Sequence, residues 1–578
     1  MSRNLDQLKA NAVKIIKRFP YLDSRLQLAR RKILSTGEGY PDWQSILGNS
    51  QGQWQEAFTA AKQGKKVLIA TSIGSHLAAM QMETALAVAL TLRGADVHAL
   101  LCDELLPGCQ MCEPRFFPSS KRFADYGPTK DLCRDCYRPG RRVYEDIGVK
   151  VHAYSDSLTE EDKRYAGKLA AELPLDEIEG FVLHGLKIGE HAKAGALRFF
   201  ARATLDEEPL GEQVLRRYLE AAVLTALSIP KLLRSENYDV AVFHHGIYVP
   251  QGIIGEVARQ EGVRVVNWNP AYRKNCFIFS HGDTYHHTLM DEPVSVWEDM
   301  EWTPDREETI TSYLRSRWEG ENDWIRFHEN PYFEKDRILA DIGCDPARPI
   351  IGLLTNVMWD AQLHYPANAF PNMLEWLLST VRYFEKRPDL QLVIRVHPAE
   401  IRGSVPTRQP VAEELKKHFP QLPANVFVVP PESNISTYVL SELCDSVIIY
   451  GTKTGVELTS VGIPVIVAGE AWIRNKGVTT DADSESAYRG ILDTLPISSR
   501  LPPEIVQRAR KYAYHFFFRR MIPVSFFEKG PGWPPYKFAS TSTECLEERV
   551  DSGLDCICEG ILNGAPFIHD SAPVLSGR

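Results

Sequence analysis

Short β-branched and aliphatic runs, each followed by a stretch of helical character, recur in two separate series along this chain, and that alternation restricts its fold more than any other feature. The first series opens with Val67-Leu68-Ile69-Ala70, a loop over 71–76, a helix predicted over Leu77 to Leu92 and Gly94 as its stop, then a strand over Val97 to Leu101. It resumes at Val149 to Tyr154, Val240 to His244, a helix near Gly252 to Gln260, and Val263 to Asn267. The second series comprises Ile350 to Leu354, Leu392 to Val396, Val426 to Val429, Ser446 to Ile449 and Pro464 to Val467. Strands that alternate with helices form parallel sheets covered on both faces, so two tandem Rossmann-like, doubly wound α/β domains are expected.

The expected layout is a helical lead-in over 1–60 and a first domain over 61–290 with an insertion at 102–140. A charged connector follows over 291–345, then a second domain over 346–500 and a helix and tail over 501–578. No short-period repeat or low-complexity tract is visible. Hydrophobic residues at 44% and charged residues at 24% of 578 describe an ordinary globular chain. A formal net charge of -9 argues against nucleic acid as a partner. Met1 to Tyr21 has no secretory pattern, and the longest apolar stretch, Thr84 to Leu92, is half a membrane span, so a cytoplasmic protein is expected.

Eleven cysteines exclude a regular disulfide framework, but four cluster as Cys109-Gln-Met-Cys112 and Cys133-Arg-Asp-Cys136, with twenty residues between the pairs. Two C-x-x-C turns at that spacing suit a closed tetrahedral zinc site, structural because no ligand position stays open. An iron–sulfur cluster uses the same ligands, and free thiols or reversible disulfides are the plain alternatives. Pro114, Pro118, Gly127 and Pro128 argue against a helix or strand between the pairs, which leaves metal to order the loop.

In the second series, Arg395-Val-His397-Pro398 follows a strand, where open α/β sheets present ligands; the alternative is a strand end with a solvated Arg and a His bonded to backbone. Gly451-Thr452-Lys453-Thr454-Gly455-Val456-Glu457 follows another strand and opens a helix. Its glycines, hydroxyls and free N–H groups suit a phosphate, and Glu457 suits ribose hydroxyls or, more plainly, the helix dipole. It is not the P-loop pattern. Asn356 ends a third strand of the same set.

These motifs carry a resemblance. The strand, Gly-Thr-x-x-Gly-x-Glu-Leu and the following Gly462-Ile-Pro-Val-Ile-Val467 resemble the donor-nucleotide motif of two-Rossmann-domain (GT-B) glycosyltransferases. Together with Arg395-Val-His397-Pro398, Thr355 to Asp360 and Trp472 to Gly477, the stretch from about Pro349 to Pro523 is similar to bacterial capsule and surface polysaccharide biosynthesis proteins. In the first half the likeness rests on Thr71 to His76 and Arg93 to Val97, which look like an acceptor-domain opening. The His-Pro dipeptide is similar to the cytidine-nucleotide motif of Kdo and sialic acid transferases, and no second motif decides cytidine over uridine or guanosine.

The resemblance implies a transferase that moves a sugar from a nucleotide-sugar donor to a glycan or lipid-linked glycan acceptor, with a C-terminal helix near 503–520 crossing back to the first domain. Asn356, Arg395, His397, Thr452, Lys453, Thr454 and Glu457 would bind the donor, His397 also stabilising the leaving phosphate. His76 and Asp360 are the candidate bases, against plain roles as helix caps. No Asp-x-Asp motif calls for a catalytic metal. His244, His245, His281, His286 and His287 are further candidates for acceptor or phosphate contacts. His515 to Pro523 sets aromatics beside two arginines, a composition for peripheral contact with the inner face of the membrane or for a buried helix. A non-hydrolysing nucleotide-sugar epimerase and a non-catalytic zinc-containing scaffold are the rival classes.

Overall fold

The computed structural model describes residues 39–319, 323, 331–360, 367–403, 405–530 and 534–570. The chain divides into two compact units, the first built from 1–200, 205–267 and 525–564, the second from 201–204, 268–524 and 565–578. The first part of the expected lead-in lies outside the described residues; its end forms helices Trp43–Gly48 and Gln51–Ala61.

In the first unit the strands are β1 (Lys66–Ser72), β2 (Asp96–Leu101), β3 (Lys150–Ala153), β4 (Val240–His244) and β5 (Arg264–Pro270). Their order is β5-β4-β1-β2-β3, and β1 runs parallel to both β2 and β4, with Val67 opposite Val97 and Val240. Chain order reverses between β1 and β4, so the sheet is open at their C-terminal ends. Helix Leu77–Leu92 is buried on all sides from Ala78 to Thr91 because it is apolar all round. It ends where Gly94 takes φ +83°.

Three helices between β3 and β4, Glu160–Glu172, Ile188–Phe200 and the 26-residue Gly211–Glu236, were not anticipated from the sequence. The last contributes Leu219, Ala222 and Ile229 to the core that also holds Leu68 and Phe243.

The insertion departs from expectation. Despite its prolines, residues 120–126 form a helix capped by Ser119, whose hydroxyl accepts from the Arg122 N–H at 3.2 Å. The second cysteine pair lies not on a turn but where a π-helical turn, Thr129–Cys133, runs into helix Arg134–Ile147. Pro114, Pro118 and Pro128 fall at or just before helix starts, where the ring costs little, whereas Pro139 lies inside that helix.

The second unit contains β6 (Cys276–His281), β7 (Ile350–Leu354), β8 (Gln391–Arg395), β9 (Val426–Val429), β10 (Ser446–Ile449), β11 (Val465–Val467), β12 (Thr480–Asp481) and β13 (Ile522–Pro523). Strand β13 pairs antiparallel with β6. The others form a sheet in the order β12-β11-β10-β7-β8-β9, parallel throughout. Within it the chain runs outward from β7 through β8 to β9, then returns to β10 and proceeds the other way. The switch point therefore lies between β7 and β10. The stretch read as a connector folds into this unit, with helix Pro304–Glu319 packing Ile310, Tyr313 and Leu314 into its core.

Helix Pro503–Tyr514 belongs to this unit too, and the chain re-enters the first unit only at Ser525. The aromatic run beyond it is not a lipid-facing surface. His515, Phe516 and Phe517 are 0% exposed and Phe518 4%, in one core with Tyr313 and Trp472, and Arg520 donates to the carbonyls of Phe567 and Phe279. Aromatics with this much apolar area gain more from burial than from a membrane face. Among the described residues no helix is long and apolar enough to cross a membrane.

Candidate functional site

At the switch point of the second unit the strand ends of β7, β10 and β11 deliver Asn356, Gly451 and Glu470 to one cleft. It is also lined by His286, Asn368, Met373 and Tyr450. The Oδ1 of Asn356 and the Oε2 of Glu470 are buried there without a hydrogen-bond partner among the described residues. Glu470 is only 8% exposed; its other oxygen accepts from the Ala367 N–H at 2.7 Å, and its own N–H donates to Asn368 Oδ1 at 2.8 Å. Gly455 lets the helix behind the loop close on the sheet, since a methyl there would stand 2.7 Å from Ile449 Cδ1.

The loop after β10 is organised by charge. Lys453 Nζ donates to Glu457 Oε1 at 2.8 Å, Tyr438 Oη to Glu457 Oε2 at 2.5 Å, and Arg317 Nε lies 3.2 Å from Oε2. The Arg317 contact is ionic rather than a directed hydrogen bond, for that N–H has no aligned acceptor. Arg317 also pairs with Asp323, and Lys453 sits 4.6 Å over the Tyr272 ring. Burial opposes ionisation of Glu457, but Arg317 and then Lys453 outweigh it and hold the carboxyl at about 2. Burial, then Arg317, lowers the Lys453 ammonium. This geometry spends Glu457 on two cations and a phenol, so it is not presented to a ribose. Thr452 Oγ1 stands 3.1 Å from Thr454 Oγ1 and accepts from the Thr454 N–H at 3.3 Å.

Arg395, 2% exposed, donates to the carbonyls of Pro430 at 2.6 Å and Ser433 at 3.0 Å. Burial, then the Arg402 charge, lowers its pKa to about 10. Its guanidinium ties down the loop after β9 rather than facing a ligand. His397 is different. Its N–H donates to Thr355 Oγ1 at 3.0 Å and its Nδ1 accepts from the Ala399 N–H at 3.0 Å, so the neutral ring carries its proton on Nε2. Asp360 is exposed on the loop after β7, its N–H bonded to the Val357 carbonyl at 3.2 Å.

Two histidines stand behind the cleft. His287 Nδ1 lies 2.8 Å from Asp283 Oδ2 and its Nε2 3.4 Å from Glu470 Oε2, and against the cost of burial these carboxylates raise its pKa to about 10. The 3.4 Å contact is a charge pairing without hydrogen-bond alignment. His286 Nδ1 accepts from Trp472 Nε1–H at 2.9 Å. Sequence reasoning named both histidines but missed Glu470 and Asn368; the signal for Glu470 is its place just beyond Val465-Ile466-Val467, a third strand end on the same edge.

In the first unit His76 precedes helix Leu77–Leu92 without capping it through its side chain, and its ring lies 4.7 Å from His244. Burial and then Arg198 depress its pKa to about 4. Cys109 Sγ and Cys112 Sγ are 3.8 Å apart, the edge expected for thiolates at ~2.3 Å around tetrahedral zinc. Cys133 and Cys136 share their electrostatic field, but no three of the four sulfurs lie within 4.8 Å of one another. The described group that meets that criterion is His98, His152 and Glu236. There Lys150 and Lys66 already neutralise the carboxylate, which disfavours a cation.

A parallel sheet whose chain order reverses between β7 and β10 defines a doubly wound α/β protein, with buried polar atoms facing the cleft at that point. A family model for capsule polysaccharide biosynthesis proteins matches residues 341–490, the stretch that holds β7 to β12 and all of the cleft residues above except His286. That stretch is similar to capsule polysaccharide biosynthesis proteins, as its motifs imply.

Among solved structures, Thermosulfurimonas dismutans KpsC, described as a β-Kdo 2,4 transferase, is similar at 13% identity over 48% of this chain and 80% of its own, with a TM-score of 0.32. A second from that organism, KpsC described as a β-Kdo 2,7 transferase, is similar at 16% identity over 52% and 82%, TM-score 0.30. The UDP-GlcNAc 2-epimerase of Methanocaldococcus jannaschii with UDP-GlcNAc and UDP is similar at 12% over 75% and 93%, TM-score 0.26. Likeness at this level says nothing of activity. No curated protein matches the chain.

Proposed function

We propose that this chain is a glycosyltransferase of capsule or surface polysaccharide assembly that takes a sugar from a nucleotide-sugar donor and joins it to a glycan acceptor. The observation that carries the reading is the pair of buried oxygens with no hydrogen-bond partner among the described residues, Asn356 Oδ1 and Glu470 Oε2, the second held only by its charge pairing with His287, facing one cleft at the switch point inside the stretch that matches the capsule family. Buried polar groups are normally bonded, and such exceptions mark places that a ligand completes.

In this reading Asn356, Glu470, Thr452 and Thr454 contact the donor, and the Nε2–H of His397 meets the phosphate as the glycosidic C–O bond breaks. Lys453, Glu457 and Arg395 act one step behind them, fixing the β10 and β9 loops, with Lys453 adding positive charge near the phosphate. Asp360, on the same strand-end edge, and His76 are the bases proposed for the acceptor hydroxyl. Cys109, Cys112, Cys133 and Cys136 are proposed to hold a structural zinc, for which the 3.8 Å Cys109–Cys112 separation is the support.

A thermal-shift screen with CMP, UDP, GDP and their sugars tests the donor. One nucleotide class is expected to stabilise the protein and to lose that effect in Asn356→Ala and Glu470→Gln. Stabilisation by none of them, with both variants still supporting polysaccharide production, would overturn the reading.

A further inference from the structure

The outward face of helix Arg134–Ile147, in the first unit, carries a row of cations that the fold does not need. Lys130, in the π-helical turn that leads into the helix, and Arg134, Arg138 and Arg142 follow one another at intervals of four residues, with Arg141 beside the last. Residues three and four apart share a helix face, so the five form one exposed stripe. The inner face is fixed without them: Val143, Tyr144 and Ile147 are buried, and Gly140 lies so close to Gly74 that a Cβ there would stand 2.4 Å from the Gly74 Cα.

Three of the five, Lys130, Arg134 and Arg138, make no ion pair or side-chain hydrogen bond among the described residues. The other two pair with Glu145 at 2.7 Å and Asp146 at 4.0 Å, but the Arg141 and Arg142 side chains are 50% and 78% exposed, and such pairs contribute little. Each also sets the cation before the acid, the weaker order on a helix, and the last turn holds two acids and no base, opposite to what the helix dipole favours. A cationic stripe kept against the preferences of its own helix, on a chain with a net charge of -9, answers to something outside the fold.

The neighbouring acids are spent. Arg122 donates to both oxygens of Asp131, at 2.7 and 3.1 Å, and Lys121 pairs with Asp125 at 3.0 Å. Of the acids between 121 and 146, Asp135 alone has no ion pair among the described residues, against the three open cations. Arg122 also lies 5.8 Å from the ring of Tyr126, which at 63% is the most exposed large hydrophobic side chain among the described residues. Row and ring therefore belong to one surface of the cysteine insertion.

Cations that meet phosphates and a tyrosine that sits at headgroup depth suit an anionic lipid layer. The stripe is a convex helix face and not a groove, which fits an extended surface better than a small anion or a single polymer strand. The aromatic run at 515–523 is buried and cannot supply such a contact.

We propose that the outward face of helix Arg134–Ile147, with Lys130 and Tyr126, is the surface through which the first unit docks on a membrane of anionic phospholipid. The helix rests on the headgroups without inserting, since its apolar side is committed to the fold. The proposal stands apart from the donor reading, because vesicle binding is measured without nucleotide.

The test is co-sedimentation of the full chain with vesicles of phosphatidylcholine and phosphatidylglycerol, and with phosphatidylcholine alone, at low and high salt. Binding is expected only with phosphatidylglycerol, falling as salt rises. The double variant Arg134→Gln, Arg138→Gln should bind roughly thirtyfold more weakly, about fivefold for each cation lost near the surface. Both side chains are exposed and unpaired, so its melting temperature should match wild type. Lys168→Gln with Arg489→Gln removes equal charge from exposed positions elsewhere and should leave binding unchanged. No pelleting at low salt, equal binding to phosphatidylcholine, wild-type binding in the double variant, or the same loss in the control overturns the proposal. So does release from vesicles by inorganic phosphate at constant ionic strength, which would mark a free-anion site, or binding of dextran sulfate without binding of vesicles, which would mark a polyanion site.

Discussion

Lys453 and Glu457, one helical turn apart, form a 2.8 Å ion pair in which the carboxylate is 1% exposed and the ammonium 17%. A pair at this spacing on a surface helix contributes a few tenths of a kcal/mol, but here Arg317 and Tyr438 close on the same carboxylate. The pair thus belongs to a buried network, and its value lies in orienting the loop that carries Thr452 and Gly451.

Glu457→Gln is accordingly expected to destabilise the second unit by about 3–5 kcal/mol, because it strands the Lys453 ammonium and leaves Arg317 only Asp323 as a counter-charge. Urea unfolding measures it. The pH dependence has a fixed sign: the folded carboxyl sits at about 2 against an ordinary 4.5, so its contribution is complete above 4.5 and drains as pH falls toward 2. The variant should lack that acid limb; an unchanged acid transition would refute the network.

Arg395→Lys is expected to act on structure before binding. A lysine cannot span the Pro430 and Ser433 carbonyls as the guanidinium fork does, and an unmet buried carbonyl costs about 1–3 kcal/mol. Hydrogen exchange in the 430–437 segment should accelerate in the absence of nucleotide. Protection equal to wild type, with donor binding lost, would instead make Arg395 a ligand contact.

The contrast between these residues and Glu470 shows what the sequence makes legible. Strand runs such as Val67 to Ala70 and Ser446 to Ile449 are apolar on both faces, so burial writes them directly into composition, and the ligand edge follows from where they end. Which polar residue at that edge meets ligand and which meets protein depends on partners distant in sequence. Arg317, Tyr438 and Glu470 claim Glu457 and His287 from other elements, and no local pattern announces that. The insertion departs from expectation for a related reason: Pro114, Pro118 and Pro128 lie at or just before helix starts, where proline does not break a helix, and only Pro139 sits inside one.

The cysteine site should bind about one zinc per chain. Elemental analysis of purified protein checks the stoichiometry, and chelation should lower the melting temperature because metal affinity for the folded state is folding free energy. Cys109→Ser and Cys136→Ser should lose the metal alike. Because Cys136 holds the Ser75 amide, the second should also disturb the His76 resonance. Metal content unaffected by either variant would dismiss the site.

His287 supplies an alkaline counterpart to Glu457. Asp283 and Glu470 flank its ring and raise its pKa from 6.5 to about 10, so the stability it contributes is complete below 6.5 and is lost as pH climbs through 10. In His287→Gln the charge is absent at every pH, and the decline in urea midpoint between pH 7 and 10 should flatten. The same change releases Glu470 Oε2 from its only charged neighbour among the described contacts. Nucleotide affinity should therefore fall at neutral pH, where wild type is charged, and the two should converge as pH approaches 10. A constant affinity ratio across that range would mean that His287 supports the wall of the cleft by packing alone.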